Sequence, residues 1–403
     1  MSILIIHNYY QQFGGEDIVF EAEKTLLKSK GHNVFTFVED NARLNGFNIL
    51  KAAVNTIWSQ ESIQRIQKLI ELTKPDVAHF HNTFIRISPS AYYACKKAGI
   101  PVVQSLHNFR TICPGALLMR GNMLCEDCIG KFFPWPGAVH ACWRKSKPQS
   151  AVVVSMLAFH RLLKTWTNQV NKYIALTDFS RNKFIQGGLP AEKIVVKPNF
   201  VDSDQLRAND YKLHAPKYSA PFYGQYALFV GRLSPEKGIQ TLCHAWQAMG
   251  GASEISLKIV GDGPLLTEVK SLAEQKHLKI EVLGRQTRVE VFRLMQGACF
   301  LVFPSEWYEG LPMTIIESYA SGLPVVASRL GAMAEIVEDG YTGLHFEPGN
   351  ARDLAEKINW ALKHPDEMAR MGRNARNEYE AKYTPERNYA MLMDIYNQVI
   401  SRH

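Results

Sequence analysis

The segment Pro304-Ser305-Glu306-Trp307-Tyr308-Glu309-Gly310-Leu311-Pro312-Met313-Thr314-Ile315-Ile316-Glu317 gathers residue types that can hold a phosphorylated sugar. It leaves a short apolar strand, Cys299–Phe303, and enters a helix expected to start near Leu311. Pro312 suits the first helical turn, where a missing N–H costs nothing. Glu309 stands just ahead of that helix and Glu317 two turns inside it. Gly310 allows backbone to approach a ligand closely, and the free N–H groups of a helix start attract phosphate. Two acids that accept from hydroxyls, beside such a helix end, suit a nucleotide sugar. Taken alone, the segment also fits a capped helix carrying one surface glutamate.

A second constellation is Val230-Gly231-Arg232-Leu233-Ser234-Pro235-Glu236-Lys237-Gly238, again between a strand and a helix. Arg232 and Lys237 can clamp a diphosphate, Arg through its planar fork and Lys as a point charge. They would neutralise charge developing on a departing nucleotide diphosphate. Either residue alone reads equally well as a surface cation; their shared position at a strand end favours the clamp. Val260-Gly261-Asp262-Gly263-Pro264 and Val282-Leu283-Gly284-Arg285 are two more turns of this kind. Gly14-Gly15-Glu16-Asp17 opens a helix after the first strand and suits either closure over a phosphate or sugar or a plain turn. No G-x-G-x-x-G follows a strand and no G-x-x-x-x-G-K-[ST] occurs, which disfavours ordinary dinucleotide and P-loop chemistry.

The elements that must position these groups alternate. Ile3–His7, Asn33–Phe37, Val77–His81, Val102–Leu106 and Lys172–Ala175 read as buried parallel strands, with helical patterns at Asp17–Lys30, Ser62–Thr73 and Ser90–Ala98. Gly31 and Gly99 are expected helix stops. A second set runs through Ala227–Gly231, Ser256–Val260, Ile280–Leu283, Cys299–Phe303 and Pro324–Ala327. Such alternation implies the α/β class, as two Rossmann-like doubly wound domains facing a cleft. Their expected bounds are residues 1–203 and 204–384, separated by the polar segment Val201–Tyr226. A last helix over 385–403 is expected to cross back to the first domain.

With 403 residues, 46% hydrophobic and 21% charged, the chain reads as a globular enzyme of two cores. No run approaches the ~18 apolar residues of a membrane span. The first residues lead straight into Ile3-Leu4-Ile5-Ile6 without a basic flank, so a cytoplasmic protein is expected. The net charge of +8 favours an anionic partner, a phosphorylated donor or an anionic membrane face. Nucleic acid is not expected, because no recognition motif for it occurs.

Four of the seven cysteines cluster in an insert at about 110–150: Cys113, Cys125, Cys128 and Cys142. Cys125-Glu126-Asp127-Cys128 has metal-knuckle spacing, and the outer thiols can complete a tetrahedral structural zinc site. Unliganded thiols or a redox group are the open alternatives. Cys95, Cys243 and Cys299 read as buried apolar residues. The insert shows no helical pattern and is expected to lack a core. It carries Phe132-Phe133-Pro134-Trp135-Pro136 and Trp143-Arg144-Lys145-Ser146-Lys147. An apolar helix expected at Ala151–Trp166 follows, ending in His160, Arg161 and Lys164. Aromatics beside cations suit peripheral contact with an anionic membrane or a lipid-phosphate acceptor, and equally a small satellite core.

Gly14-Gly15, Gly231-Arg232…Lys237-Gly238, Gly261-Asp262-Gly263 and Glu309-x7-Glu317, in this order, resemble the retaining family-4 glycosyltransferases of GT-B fold. Ala320–Ser328 and Glu335…Asp339-Gly340-Tyr341-Thr342-Gly343 extend the likeness. The resemblance implies a nucleotide-diphosphate sugar donor, a glycan or lipid-linked acceptor, and a place in cell-surface polysaccharide synthesis, at the inner face of the cell membrane. By it, Arg232 and Lys237 hold the donor diphosphate, Glu317 the ribose, and Glu309 the donor sugar. Gly15, Gly231, Gly310 and Leu311 offer backbone to the donor, and Arg285 lies near the base. His107, in Ser105-Leu106-His107-Asn108, matches the family's active-site histidine, while Asn108 stands where many members carry Asp. The insert, beginning just after His107, falls where family members bind acceptors. No cofactor is implied for catalysis, since Arg232 and Lys237 can supply the countercharge of a metal. The implied mechanism is front-face attack without a covalent enzyme nucleophile. A sugar-nucleotide epimerase of GT-B form and a non-catalytic nucleotide-sugar-binding protein are the alternatives.

Overall fold

The computed structural model of the chain describes residues 1–11, 14–41, 49–203, 226–250 and 255–401. The expected boundary between residues 203 and 204, and most of the segment Val201–Tyr226, lie outside the described residues. The chain divides into two compact units. One comprises Met1–Arg120, Cys125–Asn199 and Asn388–His403; the other comprises Gly121–Leu124 and Phe200–Arg387.

The first unit is built on β1 (Ser2–Tyr9), β2 (Asn33–Asp40), β3 (Val77–Phe80) and β4 (Val102–Leu106). After β4 come two short strands outside this sheet, β5 (Met119–Arg120) and β6 (Met123–Leu124), the latter in the stretch Gly121–Leu124 assigned to the other unit. The sheet then resumes with β7 (Lys172–Ala175) and β8 (Ile194–Val196). Its order is β2-β1-β3-β4-β7-β8, and each of its pairings is parallel. Strands covered on both faces need continuous apolar runs. β1 meets that need: Ile3, Leu4, Ile5 and Ile6 are fully buried. Phe20 and Leu27 of the helix Gly15–Ser29 pack on one face together with Leu392, Ile395, Tyr396 and Val399 of the last helix, Pro385–Ile400. Gly31 and Gly99 sit left-handed just past their helices, with φ of 81° and 69°.

The second unit holds β9 (Tyr226–Val230), β10 (Ser256–Val260), β11 (Ile280–Gly284), β12 (Phe300–Phe303), β13 (Val325–Ser328) and β14 (Gly343–Phe346). Its sheet runs β11-β10-β9-β12-β13-β14, all parallel. Counted within the unit, this is the doubly wound order 3-2-1-4-5-6, which reverses direction between β9 and β12. In the first unit the reversal falls between β1 and β3. Open α/β sheets bind ligands beyond strand carboxyl ends at such reversals. Those loops carry most of the residues singled out from the sequence.

Candidate functional site

In the second unit, β9 and β12 are hydrogen-bonded neighbours, so the loops that leave them run side by side. Gly238 is left-handed at φ 66°, and a Cβ there would stand 1.8 Å from the Pro304 carbonyl oxygen; only glycine fits. The Glu306 amide donates to the Glu236 carbonyl at 2.9 Å. This close packing sets Lys237 against Glu309, with Nζ 2.6 Å from Oε1. The same oxygen accepts from Ser305 Oγ at 2.8 Å and from Trp307 Nε1 at 2.7 Å. Three donors on one oxygen of a buried carboxylate fix its orientation and leave Oε2 as its remaining acceptor. Ser305, Trp307 and Glu309 alternate along the loop, a period-2 signal that would have grouped them.

The helix expected near Leu311 runs from Met313 to Ala320. Pro312 lies ahead of it as the capping residue, because its ψ of 98° is extended rather than helical. It gives no side-chain cap, and the first turn carries no acid, so the end keeps its affinity for anions. Glu317 lies in the second turn, with Oε1 3.1 Å from Arg288 Nη2. Burial raises the Glu317 carboxyl and the Arg288 charge opposes it. Arg288, from the helix Arg288–Gln296, was not legible as a partner because the pairing joins two separate helices. Leu311 is buried, Gly231 and Gly310 are partly exposed, and Arg232 and Arg285 are exposed at the ends of β9 and β11. Lys237, Glu309, Arg288 and Glu317 thus meet in pairs.

In the first unit, His107 follows β4 and His81 follows β3. Their rings stack at 5.2 Å, with His107 Nε2 3.0 Å from His81 Nδ1. Behind them Glu23 Oε1 stands 3.2 Å from His81 Nε2 and 3.0 Å from His79 Nδ1. Its other oxygen is 3.1 Å from Lys197 Nζ. Burial alone would raise the Glu23 carboxyl, yet Lys197 and the histidines hold it well below the carboxylate range. Burial, with the neighbouring His79, lowers His81 to about 4; burial and His81 hold His107 well below the usual histidine range. These rings are therefore neutral at pH 7. His79-x-His81 across a strand end was the signal for this cluster, since alternate residues share a face.

Gly15 opens the helix after β1, but that helix start is already capped. The Gly14 amide donates to Asp17 Oδ2 at 2.8 Å, and Asp17 Oδ1 is 2.7 Å from His7 Nε2. Glu16 accepts from Tyr10 Oη at 2.9 Å and from Asn108 Nδ2 at 3.1 Å, and burial pushes it up to about 8. Asn108, which departs from the family pattern, thus hydrogen-bonds both Glu16 and Tyr10.

Of the insert's thiols, Cys113 and Cys128 are buried and Cys125 and Cys142 partly so; all are free. Among the described residues, one trio of metal-ligating atoms lies within 4.8 Å of one another, that of Glu23, His79 and His81. Its carboxylate already has Lys197 as a cation, and the thiols form no such trio. The insert also departs from the expectation of no helix and no core. It holds the short helix Pro136–Val139, and Phe109, Ile112 and Leu118 are buried in it. The apolar helix runs over Lys147–Leu162, begun by Ser146, whose Oγ accepts from the Gln149 amide. His160 is not a surface cation: it is fully buried against Thr165 Oγ1 and the Ile57 carbonyl, and burial lowers it to about 4. Phe132, Phe133, Trp135 and Val139 are each more than half exposed. One Asp-x-Asp, Asp202-Ser203-Asp204, is present in the chain, with Asp204 outside the described residues. No described helix is long and apolar enough to cross a membrane.

Comparison with known proteins matches residues 14–205 to Glycosyltransferase Family 4 and residues 216–378 to Glycosyl transferases group 1. An uncharacterized glycosyltransferase of Methanocaldococcus jannaschii is 34% identical over 175 residues, 43% of this chain and 48% of that protein. The D-rhamnosyltransferase WbpZ of Pseudomonas aeruginosa is 26% identical, covering 64% of this chain and 70% of that protein. Across the first few such relatives, the matched part spans about half to 70% of their length. Among solved structures, Anabaena HepE in complex with UDP has TM-score 0.70 at 18% identity, covering 99% of this chain and 100% of that one. A Rickettsia africae glycosyltransferase has TM-score 0.72 at 18% identity, over 100% and 99% of the two chains. Paired Rossmann-like sheets and the two successive family matches agree: the chain belongs to the family-4 glycosyltransferases and has the GT-B fold.

Proposed function

We propose that this chain is a retaining, metal-independent glycosyltransferase. It moves a sugar from a nucleotide-diphosphate sugar to a glycan or lipid-linked acceptor in cell-surface polysaccharide synthesis. The observation that carries the reading is the Lys237–Glu309 pair at the β9/β12 reversal, close in sequence to the uncapped helix start at Met313. Likeness to HepE, solved with UDP and with UDP-glucose, supports the donor class.

In this reading Arg232 and Lys237 grip the diphosphate, with the Gly310–Leu311 backbone and the helix start beside them. Glu309, its Oε1 saturated by three donors, turns Oε2 to the sugar hydroxyls, and Glu317 accepts from the ribose. Gly15 and Gly231 give backbone to the donor, and Arg285 lies near the base. His107 is neutral, so it serves as a hydrogen-bonding partner and not as a cation. The acceptor oxygen bonds to the anomeric carbon on the face from which the diphosphate leaves. As the carbon–oxygen bond to phosphate breaks, the acceptor proton passes to a diphosphate oxygen. Lys237 and Arg232 stabilise the charge left on that group, so catalysis is positioning and electrostatics.

On the acceptor side, an apolar pocket lined by Ala53, Thr56, Ile85, Trp143, Val152 and Val153 suits a lipid-linked glycan. The exposed Phe132, Phe133 and Trp135 stand on the same insert as exposed Lys131, Lys145 and Lys147, a mixture that suits the anionic inner face of a membrane. The test is incubation of purified protein with UDP-, GDP- and ADP-sugars. Slow release of free nucleotide from one donor, with the anomeric configuration kept in any product, is expected. A new sugar nucleotide without free nucleotide would mean epimerisation, and binding without turnover would mean a binding protein.

A further inference from the structure

We propose that Cys113, Cys125, Cys128 and Cys142 bind one zinc ion as a tetrahedral tetrathiolate that staples the insert between β4 and β7. This inference is independent of the proposed reaction. The four thiols come from separate turns of one insert, and no three of their sulfurs lie within 4.8 Å of one another before an ion gathers them. Burial first, and then the neighbouring thiols, raise Cys128 to about 12 and raise Cys142 as well. Gly115 leaves room between two of them: a Cβ built there would meet Cys142 Cβ at 3.6 Å and Cys113 Sγ at 3.7 Å. The Cys125 amide is fixed by the Leu118 carbonyl at 2.8 Å, and Cys128 is followed two residues later by left-handed Gly130. Such a turn is how a C-x-x-C pair presents both sulfurs to one ion.

The insert needs a cross-link. Leu117, Met123, Phe132, Phe133, Trp135 and Val139 all face outward, leaving little apolar area to hold it. Ala116, Leu118 and Ala141 are left-handed, at φ 68°, 50° and 51°, an arrangement that persists only where the surroundings impose it. Thiolates brought together would repel one another, and a divalent ion between them offsets that charge. Each thiol would release its proton to solvent on binding, leaving the zinc centre with two negative charges. Three arginines lie in the same region, Arg120 paired with Asp127 at 2.7 Å, Arg161 on the Phe132 and Thr111 carbonyls at 3.2 Å, and Arg110 on the Pro114 carbonyl. Because the sulfurs form no close trio without the ion, binding and ordering of the insert are coupled.

The full chain, purified under thiol reductant and without chelator, should carry about one zinc per molecule, with a sulfur-only shell near 2.3 Å by X-ray absorption. Cobalt(II) exchanged into it should give intense thiolate charge-transfer bands. The double variant C125S/C128S should lose about tenfold or more of the zinc. Should that variant fail to fold, chelation of the wild-type protein serves instead: it should open residues 113–142 to proteolysis, and added zinc should close them. Metal-free wild-type protein with four reactive thiols, or with disulfides by mass, overturns the proposal. A nitrogen and oxygen shell also overturns it and points to Glu23, His79 and His81.

Discussion

The two units place their charged groups in opposite ways. In the first, Glu23, Lys197, His79 and His81 lie inside the fold, each nearly or fully inaccessible, with the Glu23 carboxylate 3.0 Å from His79, 3.2 Å from His81 and 3.1 Å from Lys197. In the second, partly exposed Lys237 meets buried Glu309 and exposed Arg288 meets partly buried Glu317, while Arg232 is exposed at the end of β9. The helix starts differ likewise. Gly15–Ser29 has its Asp17 on the Gly14 amide and Glu16 as a second acid in its first turn, whereas Met313–Ala320 has neither side-chain cap nor acid there. The contrast separates two uses of charge. A closed network fixes ring orientation and makes stability depend on pH, while an open one keeps unspent potential for a ligand's phosphates.

The largest expected effect tests the open network. Lys237→Ala should lower kcat by about 10²–10³-fold, as loss of a charge-stabilising donor does, with donor affinity changing far less. Steady-state kinetics beside donor titration reads the split; equal turnover in the variant would remove Lys237 from the mechanism. The closed network predicts acid lability. His81 is lowered to about 4 in the fold, so the unfolded chain binds the extra proton between pH 6.5 and 4. Stability is therefore fully present above pH 6.5 and lost as pH falls through that window, by about 2 kcal/mol near pH 5. Urea midpoints measured from pH 7 to 4.5 check this, and a flat profile would break the contrast. Glu317→Ala should weaken nucleotide binding about tenfold while leaving turnover of bound donor nearly intact, since ground-state hydrogen bonds are lost. Equal affinity in calorimetry would take Glu317 away from the ribose. Least affected is membrane attachment: the pair F133A/W135A should reduce partition onto anionic vesicles by roughly fivefold. No change on sedimentation would leave these rings without that role.

Much of the architecture was legible because its signals are local. Lys172–Ala175 and Ser256–Val260 are strands with the bounds that their apolar runs suggest. Gly31 and Gly99 stop helices through their own backbone freedom. β8 and β14 escaped notice because three or four residues carry too little periodicity to stand out. His160 misled for a related reason: a histidine near a helix end looks solvated until another element, here the Ile57 carbonyl, covers it.

The order of residue types along this chain settled the α/β class, the family, and which loops follow strands. Those are properties of neighbours in sequence: period, turn chemistry and charge. Tertiary structure alone decided that Lys237 reaches Glu309 across 72 positions and that Lys197 reaches Glu23 across 174. It also showed that the helix start at Met313 has no side-chain cap. Such pairings depend on sheet order and on what packs behind each strand, and no local pattern encodes either.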